Sequence, residues 1–368
     1  MRQRIPQLDA VRGIAILVVL VHNNLPKYPT LPLQRVFSYG WMGVDLFFVL
    51  SGFLITDILF DSKESAGYFK NFYVRRCLRI WPLYFAVLFF MFVVVPLLRP
   101  SDGVLVFARS SPWWAYLLFL QNFVGPSPTG AVGPLSVTWS LAIEEQFYLV
   151  WAVVVRCCSY AQLRRLAIMV ICLSPFVRFY LSRLHVGLYS NVFCRLDGLM
   201  AGSLLALVLR SSTFLPARFV KPVCLSLFVA LPLVFVAEAF HARWITYSLS
   251  AVASTAFVYV SLFSTQKWFR LAMTTRTLTY TGRISYGLYL LHKIPFDAVQ
   301  RFHFDLRPFL SLMIGFAASY ALAILSWNLL EKPILGLGRF FDYAREGPAL
   351  ASDQLGRLGN LTGGRRAG

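Results

Sequence analysis

Charged residues are scarce in this chain, because Asp, Glu, Lys and Arg make up only 14% of its 368 residues. A soluble globular domain carries about a quarter, so the deficit excludes water as the main solvent of the folded chain. Acidic residues are rarer than basic residues, with 16 Asp and Glu against 35 Lys and Arg. The net charge of +19 does not indicate a nucleic-acid partner, because the basic residues lie in short segments between apolar stretches, where they set membrane orientation.

Cysteine is also sparse, and its spacing excludes two common roles. The six cysteines show no zinc-ligand spacing, and all fall in apolar stretches or on the predicted cytoplasmic side, so neither a metal site nor a disulfide framework is expected. A signal-peptide cleavage site is lacking as well. Asp9 and Arg12 interrupt the N-terminal apolar stretch, which predicts an uncleaved first span.

Apolar blocks of about 17–24 residues dominate what is present, the length that a helix needs to cross a bilayer. The alternation of a β-barrel strand is missing, so the sequence predicts an all-α, polytopic membrane helical bundle. About ten transmembrane helices are expected. They fall near residues 9–25, 41–60, 80–98, 137–155, 166–182, 193–209, 222–240, 244–264, 284–300 and 308–330.

Loop charge predicts the orientation of this bundle. With residues 112–124 treated as a half-helix or interfacial segment, most Lys and Arg residues fall on one side, and both termini are cytoplasmic. Residues 1–340 then form one membrane domain in the inner (plasma) membrane. Residues 341–368 are basic and Gly-rich, and are predicted to be a disordered cytoplasmic tail.

Ionisable residues inside the predicted spans need an explanation, because each costs at least about 2.5–3.5 kcal/mol in the bilayer centre. Asp9 and Arg12 share a helix face, as a local ion pair or as a functional pair. His22 lies near the outer end of the same span, where an interfacial role is the simpler reading. Asp45 falls in the first turn of the second span and could act as a helix cap.

Glu144 and Glu145 are harder to explain structurally. Neighbours on a helix point about 100° apart, so at least one carboxylate faces the bundle interior. With His22, Asp45, Arg195 and Asp197, they fall in the outer half of the predicted bundle, which favours one shared polar cavity there. Arg178 and His292 are two further buried ionisable groups.

The cytoplasmic side has its own cluster, formed by Arg75, Arg76 and Arg79. Arg76 and Arg79 are three residues apart, so a helix presents both guanidinium groups on one side, an arrangement that suits phosphate. An ordinary positive-inside anchor is the alternative.

Six motifs in order resemble the acyltransferase-3 family, the integral membrane O-acyltransferases of bacterial surface glycans, nodulation signals and macrolides. They cover about nine-tenths of the chain. The motifs are LDAVRG (8–13), GVDLFFVLSGF (43–53), WSLAIEEQFY (139–148), RLDG (195–198), SYGLYLLH (285–292) and EKP (331–333).

This resemblance implies transfer of an acyl group, commonly acetyl, from cytoplasmic acyl-CoA to a hydroxyl of an exported glycan, glycolipid or polyketide. No permanently bound cofactor is expected. Arg12 and His22 resemble the essential Arg and His of the family's first helix. Nine residues separate them here where the family has ten, which turns His22 by about 100° from the usual register.

The hypothesis for chemistry assigns a role to each group. His22 is the base, oriented by Asp45 or by the two glutamates, and the arginine cluster holds the CoA phosphates. Arg178 or Arg195 stabilises the oxyanion, with Asp197 and His292 nearby for the acceptor. The alternative is a transporter or flippase of lipid-linked saccharides that performs no acyl transfer.

Overall fold

The structure is a computed structural model that describes residues 5–24, 38–125, 128–211, 216–301 and 308–341. Over these ranges the secondary structure is helical and contains no strand. The first helices are α1 (Pro6–Asn24), α2 (Met42–Asp61), α3 (Tyr68–Phe89), α4 (Pro100–Arg109), α5 (Trp113–Leu117), α6 (Trp139–Cys157), α7 (Tyr160–Arg183) and α8 (Leu196–Leu209). They are followed by α9 (Val220–Ala239), α10 (Arg243–Phe263), α11 (Lys267–Ala272), α12 (Arg276–Arg283), α13 (Ser285–Leu291), α14 (Lys293–Arg301), α15 (Pro308–Ser326) and α16 (Lys332–Leu337).

Helices occupy every segment that the sequence predicts to cross the membrane, and six are long and apolar enough to do so. These six are Ser38–Asp61, Tyr68–Leu98, Tyr160–Arg183, Val220–Ala239, Arg243–Phe263 and Phe309–Phe341. The other four predicted segments correspond to α1, α6, the 14-residue α8 and the pair α13–α14. The all-helical class is confirmed, while the count of about ten spans and the side of each terminus stay predictions.

The ambiguous segment 112–124 does not form a long helix. Its only helical part in the described residues is α5, five residues long, and the chain then turns at Phe119 with a positive φ of 55°. Gln121 is fully buried and donates through Nε2 to the carbonyl oxygen of Thr138 at 3.1 Å. Buried hydrogen bonds of this kind satisfy backbone polar groups where the chain is not helical.

The corner between α6 and α7 follows from local sequence. Ser159 caps α7: its side chain accepts from the backbone N–H of Gln162 at 3.4 Å, and the Gln162 side chain accepts from the Ser159 backbone N–H at 2.8 Å. This capping box satisfies two N–H groups that a helix start leaves without partners. Two residues therefore separate the end of α6 from the start of α7.

Glycines bring the inner helices into backbone contact. A Cβ on Gly52 of α2 would collide with the carbonyl oxygen of Leu199 in α8, and one on Gly202 of α8 would collide with that of Val49 in α2. Ser203 also donates to the Gly52 carbonyl oxygen at 3.3 Å. Small residues at such crossings let membrane helices pack closely, because lipid supplies no hydrophobic drive between them.

The outer surface of the bundle is apolar. Phe176 on α7 is 71% exposed and Phe228 on α9 is 72% exposed, and many of their neighbours are also exposed hydrophobic residues. A water-facing surface rarely carries so much contiguous apolar area, so these faces are suited to lipid. Of the predicted tail, residues 342–368 lie outside the described part of the chain.

Candidate functional site

A cavity of about 100 Å³ lies between α1, α2, α3, α6 and α13. Charged groups from three helices line it: Arg12 from α1, Arg76 and Arg79 from α3, and Glu144 from α6. Side-chain hydroxyls line it as well, and they belong to Ser51, Ser140, Tyr148, Ser285, Tyr286 and Tyr289. The remaining wall is aliphatic and phenyl, so the polar groups face a partly open space with apolar surroundings.

Positive charge dominates this cavity, with three guanidinium groups and one carboxylate. Arg12 is partly compensated, since its Nη1 lies 3.1 Å from Oδ1 of Asp9. A local ion pair is one of the two alternatives that the sequence leaves open. The Arg76 guanidinium carbon lies 5.9 Å from the ring centroids of Phe72 and Tyr148, a cation–π arrangement. The space between these groups is suited to an anion.

The carboxylate of Glu144 accepts hydrogen bonds from two hydroxyl groups. Ser51 donates through Oγ to Oε1 at 2.9 Å, and Tyr148 donates through its hydroxyl to Oε2 at 2.8 Å. Glu145 points elsewhere, and its Oε2 accepts from Nε1 of Trp81 at 3.5 Å. The two neighbouring carboxylates thus diverge as helix geometry requires, and Glu144 is the one that faces the cavity.

Two tyrosines of α13 close another wall. Tyr286 donates to the carbonyl oxygen of Ile80 at 2.6 Å, which joins α13 to α3. The hydroxyl of Tyr289 lies 2.6 Å from Oγ of Ser140 and donates to the carbonyl oxygen of Val137 at 3.0 Å. These bonds hold both rings in place around the cavity.

A second polar cluster surrounds Arg195, at the start of α8. Its Nη2 lies 2.5 Å from Oδ1 of Asp45 in α2, and both side chains are buried. Aromatic rings enclose the guanidinium; the centroid of Tyr247 is nearest at 4.2 Å. The others are Phe48, Trp139 and Tyr189.

Arg178 and Asp197 extend this second cluster across α7, α8 and α10. Nη1 of Arg178 lies 2.9 Å from Oδ2 of Asp197 and donates to the Cys194 carbonyl oxygen at 2.7 Å. Ser248 donates to the same carboxylate oxygen at 2.7 Å. Hydrogen bonds to charged groups therefore connect α7, α8 and α10.

These positions correct the expectation of one shared outer cavity. Glu144 lies with Arg12, Arg76 and Arg79, whereas Asp45, Arg178, Arg195 and Asp197 form the separate cluster described above. The expected separation of Glu144 from the arginine cluster is also wrong. Depth along a helix does not give the direction of a side chain, and α3 and α6 turn their polar faces toward each other.

His292 is fully buried at the break between α13 and α14. Its Nε2 lies 3.2 Å from Nδ2 of Asn23, and its Nδ1 lies 2.8 Å from the Tyr289 carbonyl oxygen. Lys293 donates to the Asn23 carbonyl oxygen at 3.3 Å. The break in the helix is thus attached to the end of α1, immediately beside His22.

His22 and Arg75 are both half-buried, and they are not among the residues that line the cavity in the described part of the chain. Gly40 packs on His22, since a Cβ at Gly40 would lie 2.6 Å from the His22 Cβ. No group of three or more His, Cys, Asp or Glu residues suited to a metal ion occurs in the described ranges.

Sequence reasoning missed the hydroxyl groups around Glu144. Tyr148 could have been found, because it lies four residues after Glu144 and therefore on the same helix face. Ser51 lies within the GVDLFFVLSGF motif, but no periodicity relates it to a residue 93 positions away. Only the packing of α2 against α6 brings the two together.

The family model for an acyltransferase domain, acyltransferase-3, matches residues 5–328, which include every lining residue of the cavity. The chain belongs to the acyltransferase-3 family. The resemblance seen in the six motifs is confirmed. This family match extends over both polar clusters and over every labelled helix except α16.

Curated proteins that are similar to this chain are named as O-acetyltransferases. A candidate O-acetyltransferase of Staphylococcus aureus strain COL is 28% identical over 363 residues, which cover 89% of this chain and 57% of that protein. Peptidoglycan O-acetyltransferase OatA of Listeria monocytogenes is 33% identical over 163 residues, 41% of this chain and 24% of that protein. A candidate peptidoglycan O-acetyltransferase of Bacillus subtilis, YrhL, is 26% identical over 359 residues, 90% of this chain and 55% of that protein.

This acyltransferase-3 chain spans little more than half the length of the curated relatives that it matches over most of its own length. No solved structure matches it.

Proposed function

We propose that this protein is a membrane O-acyltransferase that transfers an acyl group from cytoplasmic acyl-CoA to a hydroxyl of a cell-surface glycan. The acyl group that we propose is acetyl. The observation that carries the proposal is the cavity in which Arg12, Arg76 and Arg79 face a carboxylate that holds two hydroxyls. The family match and the names of the relatives agree with acyl transfer.

The donor side of the reaction uses the guanidinium groups. Arginine binds phosphate with two parallel hydrogen bonds, and its charge does not depend on pH in the working range. Arg76 and Arg79 lie one helical turn apart on α3, with Arg75 beside them toward the cytoplasmic end. Arg12 lines the same cavity, and we therefore assign it to the donor rather than to the acceptor.

The acceptor side of the reaction uses the outer end of α1. His22 follows Arg12 by ten residues, so about 15 Å of helix separates the two positions. We assign His22 the role of base for the acceptor hydroxyl. Asp45 is paired with Arg195, so its part is to hold the walls around the transfer path. Glu144 accepts hydrogen bonds from Ser51 and Tyr148 inside the cavity.

The acceptor is a glycan hydroxyl on the outer face of the inner membrane. Two relatives bear peptidoglycan O-acetyltransferase in their names, which makes peptidoglycan fragments the first acceptor to test. Glycolipid and polyketide hydroxyls present the same chemistry and are the next.

The test uses the full chain, purified and reconstituted in liposomes, with acetyl-CoA labelled in the acetyl group and peptidoglycan fragments. Arg76→Ala with Arg79→Ala should raise the KM for acetyl-CoA at least about 10²-fold, because each lost charged hydrogen bond costs about 1.5–3 kcal/mol. Arg270→Ala, at an exposed position of α11, is the matched control. An unchanged KM in the double variant contradicts the donor site, and transport of a lipid-linked saccharide with no acetyl transfer favours the flippase alternative.

A further inference from the structure

Ser51 lies at the middle of α2, but its hydroxyl does not donate to a backbone carbonyl oxygen of its own helix. Serines inside helices commonly donate to the carbonyl oxygen four residues earlier. Ser174, Ser203 and Ser319 do so here, at 2.7, 2.9 and 2.7 Å. Ser51 instead donates to Glu144 of another helix at 2.9 Å. The local helix does not require this bond.

The bond has the geometry of an activated nucleophile. A hydroxyl is a weak nucleophile unless a neighbouring base takes its proton, and a carboxylate within hydrogen-bond distance can be that base. Tyr148, on the same helix as Glu144, donates to the other carboxylate oxygen at 2.8 Å and fixes its orientation. The three guanidinium groups that line the same cavity can stabilise the negative oxygen of a tetrahedral intermediate.

The depth of Ser51 in the bundle is also suited to a carrier. It is the tenth residue of the 20-residue α2, which is part of the candidate span Ser38–Asp61. About 15 Å of helix therefore lies on each side of it. The donor arginines line the same cavity as Ser51, whereas His22, about 15 Å along α1 from Arg12, is not among its lining residues. Direct transfer has to bridge that length in a single step.

We infer that Ser51 is a transient acyl carrier, acylated by the thioester with Glu144 as base and deacylated by the acceptor hydroxyl. In the first step the bond between Ser51 Oγ and the acyl carbon forms while the carbon–sulfur bond breaks. The Ser51 proton passes to Glu144 and then to the sulfur, so CoA leaves as the thiol. In the second step the acceptor oxygen bonds to the acyl carbon and the Ser51 ester bond breaks. The acceptor proton, which His22 takes first, returns to Ser51 through Glu144.

This inference rests on the proposed function and is tested with the same reconstituted full chain. The wild type is mixed with acetyl-CoA labelled in the acetyl group, without acceptor, and quenched in acid. Released CoA and protein-bound label are measured, and the labelled peptide is located by mass spectrometry. We expect about one equivalent of CoA in a rapid burst and a labelled peptide that contains Ser51. Added peptidoglycan fragments should then remove the label.

Substitutions separate the carrier from its neighbours. Ser51→Ala should lose the label and at least about 10²-fold in transfer rate. Ser51→Cys should accept the acyl group as a thioester that neutral hydroxylamine cleaves. Tyr148→Phe should still label Ser51, because Tyr148 only orients the base. Ser174→Ala, a buried helix serine outside the cavity, controls for the loss of a hydroxyl, and thermal unfolding confirms that each variant is folded.

The outcomes distinguish the carrier from the overall function. A folded Ser51→Ala variant that transfers acetyl at the wild-type rate overturns the carrier and leaves the acyltransferase intact. Label located on Tyr148 or His22 overturns it equally. A wild-type chain that releases no CoA and acetylates no acceptor overturns the proposed function as well.

Discussion

Arg195 shows how a single charged residue is kept inside this apolar bundle. It is buried, it lies 2.5 Å from a carboxylate oxygen of Asp45, and the face of Tyr247 covers its guanidinium at 4.2 Å. A buried ion pair repays its desolvation only with such additional contacts, and loss of one partner leaves the other uncompensated. The pair is therefore expected to be sensitive to single changes.

A charge-removal cycle measures this sensitivity. Arg195→Met and Asp45→Leu should each lower the free energy of unfolding by about 3–5 kcal/mol, because each leaves a buried charge without its partner. The double variant should lose clearly less than the sum. Thermal unfolding in detergent, followed by tryptophan fluorescence, is the measurement.

The exposed pair Arg243–Glu238, at 3.2 Å, is the control for this cycle. Removal of either member should change the free energy of unfolding by less than about 1 kcal/mol. Additive losses at Asp45 and Arg195 would mean that the pair is not coupled.

Arg12 and His22 lie on one helix, but substitution of each should change a different kinetic parameter. Arg12 lines the cavity with Arg76 and Arg79, so Arg12→Ala should raise the KM for acetyl-CoA about 10-fold or more. His22→Ala should leave that KM within about 2-fold and lower the transfer rate by about 10²–10⁴-fold, the usual contribution of a general base.

Steady-state kinetics with acetyl-CoA varied at saturating acceptor measures both effects. Asn328→Ala, at an exposed side chain in the helical turn that follows α15, serves as the control. Equal KM values for wild type and Arg12→Ala would contradict a role of Arg12 in donor binding. A folded His22→Ala variant with full activity would contradict the assignment of His22 as the base.

At the level of helices, close contacts of α2 with α8 and of α1 with α12 hold the inner bundle together. A Cβ on Gly282 of α12 would collide with the carbonyl oxygen of Asp9 in α1, just as Gly52 and Gly202 meet backbone across the α2–α8 contact. Because a backbone atom cannot turn away as a side chain can, these positions permit only glycine. The cavity walls on α1 and α2 depend on both contacts.

Alanine at the α2–α8 contact should therefore destabilise the fold. We expect Gly52→Ala and Gly202→Ala each to lower the free energy of unfolding by about 1–3 kcal/mol or more, the usual effect of overpacking. Gly336→Ala in α16 is the matched control, since a Cβ there meets nothing within 4 Å. Thermal unfolding is the readout, and equal melting temperatures for all three variants would contradict the contact.

At the level of the whole molecule, the charge distribution predicts which side of the membrane each loop faces. The loop between α2 and α3 contains Lys63 and Glu64 and is predicted to be cytoplasmic, while Arg243 at the start of α10 is predicted to be outside. In a version without the six native cysteines, Arg243→Cys should react with a membrane-impermeant maleimide in intact cells. Glu64→Cys should react only after the cells are opened.

Both positions are exposed in the structure, so accessibility within the fold does not decide the result. Labelling of both from outside would overturn the predicted orientation, and with it the cytoplasmic donor.

The parts of the molecule differ in how far the sequence predicts them. Every predicted span contains a helix, because long apolar blocks and the need to pair backbone polar groups in lipid leave few alternatives. The bond between Arg12 and Asp9 and the divergence of Glu144 and Glu145 follow from helix periodicity alone. Contacts between helices follow from no such rule.

Length, apolar blocks, loop charge and motif order by themselves determined the helical membrane class, the family and most of the buried charged residues. Only the tertiary structure decided which of those residues meet. It placed Arg76 and Arg79 with Glu144 rather than beneath it, and it paired Asp45 with Arg195. The physical reason is that helix formation in lipid is local, whereas the rotation of each helix about its axis is set by side-chain fit with partners far along the chain.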